Sequence, residues 1–138
     1  MEVTNITAEV LLTTYSSMLN SLKNSESPAL LVFGIMRNVT ILQNTLKDYF
    51  AVKGDLIKKY NITSDEQINS TDEGKAFTEE FLPIANEVVN LELHKLNITF
   101  EELCTKMENS NAVITGDVRS LELICKDDSE SESSQETD

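Results

Sequence analysis

The sequence has few of the residues that punctuate or cross-link small folds. It contains two Cys, two Pro, four Gly and no Trp in 138 residues. Two thiols, Cys104 and Cys125, do not make a disulfide framework, so we expect both to be free and buried. Turn-rich β sandwiches and barrels use more Gly and Pro than this, whereas a helical protein needs fewer. The composition therefore predicts a helical fold with an aliphatic core.

Long apolar runs are also missing. No stretch approaches the roughly 18 consecutive apolar residues of a membrane-spanning helix. The first residues have neither the basic region nor the apolar segment of an export signal. We therefore expect a protein that neither enters a membrane nor leaves the cytoplasm in which it is made.

Side chains that build catalytic and metal sites are sparse. His94 is the only histidine, so no Cys/His set has the spacing of zinc ligands, and a Ser or Cys nucleophile has one candidate base. Glu79-Glu80 and Glu101-Glu102 are neighbours in predicted helices, where adjacent side chains diverge by about 100°. The four glycines form no phosphate-binding loop. We expect no enzyme activity, no catalytic residues, no metal site and no cofactor.

Positive charge is scarce in the second half of the chain. Residues 1–60 hold 6 Lys/Arg and 5 Asp/Glu, whereas residues 61–138 hold 5 Lys/Arg and 19 Asp/Glu. The formal net charge of −13 repels phosphate backbones and anionic lipid headgroups. The charge therefore argues against direct binding of nucleic acid, and it either suits a basic partner or only keeps the protein in solution.

Hydrophobic periodicity predicts a mainly α fold, with four to five helices and a minor β component (α+β minor). One helix starts at Thr7, and Pro28 fits the first turn of a second, long helix over 28–60. This long helix carries a heptad-like seam with alternating spacings of three and four. The seam positions are Val32, Ile35, Val39, Leu42, Leu46, Tyr49, Lys53, Leu56 and Tyr60.

A helix over 28–60 would be about 50 Å long. A globule of this mass is only about 30–35 Å across. The long helix therefore protrudes, bends at Gly34 or Gly54, or pairs with a second copy of the chain.

Beyond the long helix the pattern becomes mixed. Residues 61–74 form a polar segment that predicts a loop, in which Thr63 and Glu66 match a capping box for a single helical turn. A helix over 75–88 follows, which Pro83 should kink or restart. The apolar spacing then changes to two, which predicts a strand over 88–98. Since a strand needs a partner for its backbone groups, we expect it to pair with the short strand predicted at 1–6.

The last third of the chain ends in an acidic segment. Thr99–Glu102 matches a capping box that starts a helix, and Thr115 is expected to cap a last short helix. Residues 127–138 contain no apolar side chain and predict a disordered acidic Ser/Glu tail. The remaining residues, 1–126, predict a single helical domain.

Three blocks of the sequence carry a resemblance. They are residues 27–38 leading into the helix that ends at 55–60, residues 76–95, and the closing helix 114–124. Their order resembles a family of small proteins of unknown function encoded by tailed phages and prophages of low-GC Gram-positive bacteria. The chain departs from that family at Pro83 and in its tail. The resemblance implies a phage-encoded protein made in the host cytoplasm, and it assigns no functional residues.

We expect a non-enzymatic phage protein that acts by binding another protein, such as a host factor. Two alternatives remain open at this point. One is an acidic DNA mimic that inhibits a host nuclease or defence protein, and the other is a minor virion or assembly accessory. All three interpretations require a protein partner, from the host, from the phage or a second copy of the chain in a homodimer.

The end of the long helix is the predicted interface. The helices at 7–23 and 75–88 are too short to cover all of the seam, so residues 49–60 are expected to expose an apolar and aromatic patch. Lysines surround this patch on an otherwise acidic chain. The expected partner-binding residues are Tyr49, Phe50, Lys53, Leu56, Ile57 and Tyr60.

Overall fold

The structure is a computed structural model, and it describes residues 1–23, 26–110, 114 and 116–127. Over these residues the fold is mainly α with a minor β component, which confirms the predicted class. The elements in order are β1 Glu2–Thr4, α1 Asn5–Lys23, α2 Ala29–Thr45, α3 Lys47–Lys59, α4 Asp65–Ser70, α5 Asp72–Ala85, β2 Val88–Asn90, β3 Leu96–Thr99, α6 Phe100–Glu108, a 3-10 helix Val118–Ile124 and β4 Cys125–Lys126.

The prediction of one helix over 28–60 is wrong, because the chain bends at Leu46. α2 ends at Thr45 and α3 begins at Lys47. Leu46 has a ψ of 5°, far from the helical value of about −42°, although its amide still donates to the Leu42 carbonyl at 2.9 Å. Its side chain is fully buried, so the bend falls at a core residue and not at Gly34 or Gly54.

The prediction of a loop over 61–74 is also wrong, because this polar segment forms α4 and the start of α5. The Gln67 side-chain oxygen accepts from the Ser64 amide at 3.2 Å and from the Thr63 hydroxyl at 2.9 Å. The Thr71 hydroxyl then caps α5 by accepting from the Gly74 amide at 3.0 Å. Local capping by side chains, which does not depend on apolar periodicity, thus makes the described part of the chain richer in helices than the four to five predicted.

Gly74 permits the close packing of these two helices. A Cβ atom at this position would lie 2.0 Å from the Gln67 carbonyl oxygen and 2.7 Å from the Ile68 Cα. Both are backbone atoms, which cannot move aside as the end of a side chain can. A residue without Cβ is therefore required where the first turn of α5 meets the backbone of α4.

The chain divides into two compact units, each built from two separate segments. Unit 1 consists of residues 1–10 and 42–91, and unit 2 consists of residues 11–41 and the chain from Glu92 onward. The single domain expected over 1–126 stays a prediction. Of the predicted tail 127–138, only Asp127 is among the described residues.

Unit 1 contains the predicted pairing of the N-terminal strand. β1 and β2 pair antiparallel, with Glu2 opposite Asn90 and Thr4 opposite Val88. The expected pairing of 1–6 with 88–98 is therefore confirmed for these short strands. In the same unit α5 continues through Pro83 to Ala85 as one helix, so the predicted restart at Pro83 is wrong.

The strand predicted over 88–98 is interrupted beyond its pairing with β1, where the Leu91 amide donates to the Met1 carbonyl at 2.7 Å. β2 ends at Asn90, and the next strand, β3, begins at Leu96. Between them, the His94 amide donates to the Asn38 Oδ1 at 2.7 Å, and the Asn38 Nδ2 donates to the His94 carbonyl at 2.9 Å. The side chain of Asn38 thus satisfies both backbone polar groups of His94, a residue that belongs to neither strand.

The rest of unit 2 follows local capping rules. The Thr99 hydroxyl accepts from the Glu102 amide at 3.2 Å, which confirms the predicted capping box at the start of α6. β3 and β4 pair in parallel. The last short helix is a 3-10 helix capped by Asp117, whose carboxylate accepts from the Arg119 amide at 3.0 Å. The predicted cap, Thr115, lies outside the described residues.

Candidate protein-interaction surfaces

Residues 49–60, the end of the seam that was expected to be exposed to solvent, are largely covered by other residues of unit 1. Tyr49 and Leu56 are buried, and the other four predicted residues, Phe50, Lys53, Ile57 and Tyr60, are half-buried. The predicted exposure of the patch over 49–60 is therefore wrong. The reason is that α5 packs against α3, with the rings of Tyr49 and Phe81 5.8 Å apart. Partner binding through these six residues stays a prediction.

Lys53, the one charged residue of the seam, has partners inside unit 1. Its Nζ lies 2.6 Å from the Glu9 Oε2 and 5.5 Å from the centroid of the Phe81 ring. The Tyr49 hydroxyl donates to the Glu9 Oε1 at 2.7 Å. Burial, together with this hydrogen bond to the carboxylate, raises the pKa of Tyr49. The ion pair explains how a charged residue occupies a seam position without facing a partner protein.

A different part of the seam helix is exposed. In unit 2, Leu30, Phe33 and Met36 are 40%, 54% and 47% exposed, and they succeed one another at intervals of three residues along α2. Arg37 is exposed beside them and is the only charged residue between Ser27 and Leu46. We call these four residues the α2 face. Contiguous exposed apolar side chains of this size are typical of interaction surfaces.

Packing on the opposite side of the helix fixes the orientation of the α2 face. Leu31, Ile35 and Asn38 are fully buried on that side. Gly34 lies so close to Leu96 that a Cβ would come within 2.7 Å of its side chain. Because the buried side is filled at this density, rotation of α2 about its axis cannot bury the α2 face instead.

Phe33 is held from one side by the segment that Asn38 binds. The rings of Phe33 and His94 meet edge to face, with centroids 5.7 Å apart, while Asn38 fixes the backbone of His94 from within the unit. A ring that is supported on one edge and otherwise exposed loses little rotamer freedom on binding. Such a residue is a suitable anchor for a protein partner.

A second concave feature lies in unit 1, where α3, α4 and α5 surround a groove of about 350 Å³. Two of the predicted partner-binding residues, Lys53 and Ile57, line it. Phe77 and Phe81 stack in it with ring centroids 5.2 Å apart. The apolar side chains that line the groove are Ile57, Ile62, Ile68, Phe77 and Phe81, and we call this feature the isoleucine groove.

Acidic side chains cover the two helices beside the isoleucine groove. Residues 65–80 contain six acids, all exposed, and a single cation, Lys75. Glu80 is paired with Lys59 at 2.9 Å. The other five acids form no ion pair with any residue that the structure describes; they are Asp65, Glu66, Asp72, Glu73 and Glu79.

In the described part of the chain the metal-ligating side chains form no cluster, and one of the two thiols has a raised pKa. Among residues 1–23, 26–110, 114 and 116–127 no three His, Cys, Asp or Glu side chains are placed to hold a metal ion. Cys104 is half-buried and Cys125 is buried. Burial, together with the nearby Cys104 and Glu122, raises the pKa of Cys125 to about 11. This thiol is therefore held in its protonated, less nucleophilic form.

The lengths of the helices and a comparison with known proteins bear on the class of protein. No single described helix is both long and apolar enough to span a membrane, whereas α2 and α3 taken together as a bent pair reach that length and composition. Neither a protein-family model, nor a curated protein, nor a solved structure matches the sequence. The phage family that the order of elements resembles therefore stays a prediction.

Of the residues on these two surfaces, only Lys53 and Ile57 were among the predicted partner-binding residues. Phe33 and Met36 flank the seam of α2, and their position beside it was the available signal. Ile62 and Ile68 lie in a segment that was interpreted as a polar loop, so they were not considered as lining residues. Both are isolated apolar residues in a polar stretch, and this isolation is the signal that could have identified them.

Proposed function

We propose that this chain acts without catalysis, by binding another protein through the α2 face. The observation that carries the proposal is that three large apolar side chains lie exposed in two turns of a helix with one charged residue. Each remains in contact with water in the free chain, and a partner that covers them gains the free energy of their burial.

The chemistry of the α2 face suits an amphipathic helix of a partner. The apolar stripe follows the axis of α2 over about 9 Å, and a convex stripe of this kind packs well against the ridges of a second helix. Arg37 forms no ion pair with any described residue. A partner helix with apolar residues at the centre and a carboxylate opposite Arg37 would satisfy both features.

The identity of such a partner is the part of the proposal that rests on the resemblance alone. If the chain is encoded by a phage, a protein in the cytoplasm of the bacterial host is the expected partner. A second copy of the chain that binds through its own α2 face is a less suitable partner, because α2 offers no acid to pair with Arg37.

Photo-crosslinking in cells that carry the natural gene tests the proposal. A photoreactive residue in place of Met36, which is 47% exposed, should capture one protein, whereas the same residue in place of Leu82, which is 49% exposed, should not. After purification, the captured protein should bind the chain, and Phe33→Asp and Arg37→Glu should each weaken that binding by at least about tenfold. Equal capture at both positions, or unchanged binding by the two variants, would contradict the proposal.

A further inference from the structure

We propose that the isoleucine groove is a second binding site, for a protein segment in which one aliphatic side chain is flanked by arginine or lysine. The inference goes beyond the function proposed for the α2 face and uses none of its residues. It rests on two properties of unit 1, the apolar lining of the groove and the charge of the helices that surround it.

The lining of the groove selects an apolar occupant. Five aliphatic or aromatic side chains line it, and its volume of about 350 Å³ is near the lower end of the range for ligand sites. Apart from Asp65, the polar residues that line it are already engaged, since the Thr63 hydroxyl and the Ser64 amide both donate to Gln67, and Lys53 pairs with Glu9. Few groups are left to orient a polar small molecule, and an aliphatic side chain needs none.

The acids around the groove favour basic residues next to that aliphatic side chain in the bound segment. Asp65 is itself part of the groove wall, and four further acids without an ion pair lie on α4 and α5. Only Lys75 offsets them between residues 65 and 80. Because these acids lie on helices, their negative charges stay near the groove. They attract a basic segment and repel an acidic one.

The groove depends on the contact at Gly74. Because α5 approaches the backbone of α4 at that residue, Ile68 on α4 and Phe77 on α5 line the same groove. The site therefore belongs to the folded unit and does not need a partner in order to form. Binding should need little rearrangement of the backbone.

Three synthetic pentapeptides test the inference on the whole chain. The first is Arg-Arg-Leu-Arg-Arg, the second replaces each Arg by Glu, and the third replaces the Leu by Gly. The measurement is the shift of isoleucine methyl signals in NMR spectra during titration. The groove reporters are Ile57, Ile62 and Ile68, and the buried Ile35 and Ile98 of unit 2 are the controls.

The first peptide should shift the groove reporters and leave the controls unchanged, and its affinity should fall when salt shortens the Debye length from about 10 Å to about 3 Å. The Glu peptide should bind at least about tenfold more weakly. The variant Asp65→Asn with Glu66→Gln, which alters only exposed side chains, should weaken the first peptide and leave the circular dichroism spectrum unchanged.

Two results would overturn the inference. Equal binding of the Gly peptide would show that the acids attract any polycation and that the groove takes no side chain. An absence of shifts at the groove reporters with the first peptide, in a chain whose spectrum is that of the folded protein, would show that the groove is not a binding site. Either result leaves the proposal for the α2 face intact, since the crosslinking at Met36 reports on a different unit.

Discussion

The side-chain amide of Asn38 binds both backbone polar groups of His94, a residue 56 positions later in the chain. Asn38 is fully buried, and its Nδ2 also donates to the Gly34 carbonyl at 2.8 Å. One amide group thus satisfies both backbone polar groups of a residue that lies between β2 and β3. The ring of Phe33, on the α2 face, contacts the ring of His94. Asn38 therefore supports the proposed interface from within unit 2.

Asn38→Ala should lower the free energy of unfolding by about 2–4 kcal/mol, because it leaves the partly buried amide and carbonyl of His94 and the buried Gly34 carbonyl without this partner. Asn38→Asp should lower it further at neutral pH, since a carboxylate would face two carbonyl oxygens. Urea denaturation measures both values. Asn44→Ala, an exposed position on the same helix, is the control and should change the value by less than about 0.5 kcal/mol. A similarly small effect of Asn38→Ala would contradict this role.

Substituting alanine for two helical glycines should have opposite effects. At Gly54 nothing lies within 4 Å of an added Cβ, so Gly54→Ala should stabilise the protein by about 0.5–1 kcal/mol through its helix propensity. At Gly74 the same gain is outweighed by overlap with the backbone of α4, and Gly74→Ala should destabilise by about 1–3 kcal/mol. Thermal unfolding followed by circular dichroism measures both changes. Two changes of the same sign would show that α4 is not packed on α5 as described.

Much of the fold could be predicted from the sequence because core positions repeat with a regular period. Ile35, Leu42, Leu46, Tyr49 and Leu56 were placed on one seam, and all five are buried. The bend at Leu46 could not be predicted, because a break that keeps the heptad phase leaves the apolar pattern unchanged. Apolar spacing carries no information about the direction of the helix axis on either side of a buried residue.

Elements that depend on side-chain capping and on tertiary contacts were harder to predict. α4 has six residues and no apolar period, so only its capping groups mark it. The backbone of His94 is bonded to Asn38, a residue 56 positions away that no local pattern relates to it. The candidate surfaces could not be predicted for the same reason. Whether Phe33 is exposed or Tyr49 is buried depends on which other elements pack against each helix.

Alkaline pH should destabilise the protein. Burial raises the pKa of Tyr15 and Tyr49 above their ordinary value of 10.0, and it raises the pKa of Cys125 from 9.0 to about 11. A group whose pKa is higher in the folded state stabilises the fold fully below its unfolded pKa, and that stabilisation is lost as the pH rises further. The melting temperature should therefore fall from about pH 9 upward.

The variant Tyr49→Phe separates one of these groups from the others. It removes the phenol that must stay protonated, so the fall in melting temperature above about pH 10 should become shallower. At neutral pH it should cost about 1–2 kcal/mol, because the hydrogen bond to the Glu9 carboxylate is lost. A melting temperature that stays level through pH 11 in the unmodified chain would show that these groups do not ionise on unfolding as described.

The assignment of the two sides of α2 can be tested by one pair of charge substitutions two residues apart. Phe33 is 54% exposed, so Phe33→Asp should change the free energy of unfolding by no more than about 0.5–1 kcal/mol. Ile35 is fully buried, and Ile35→Asp places an unpaired carboxylate in the core of unit 2, which should cost more than about 4 kcal/mol. Urea denaturation of both variants provides the measurement, with the spectrum of each in buffer as the check on folding. Strong destabilisation by Phe33→Asp would mean that this ring is part of the core, and the α2 face would then be unavailable to a partner.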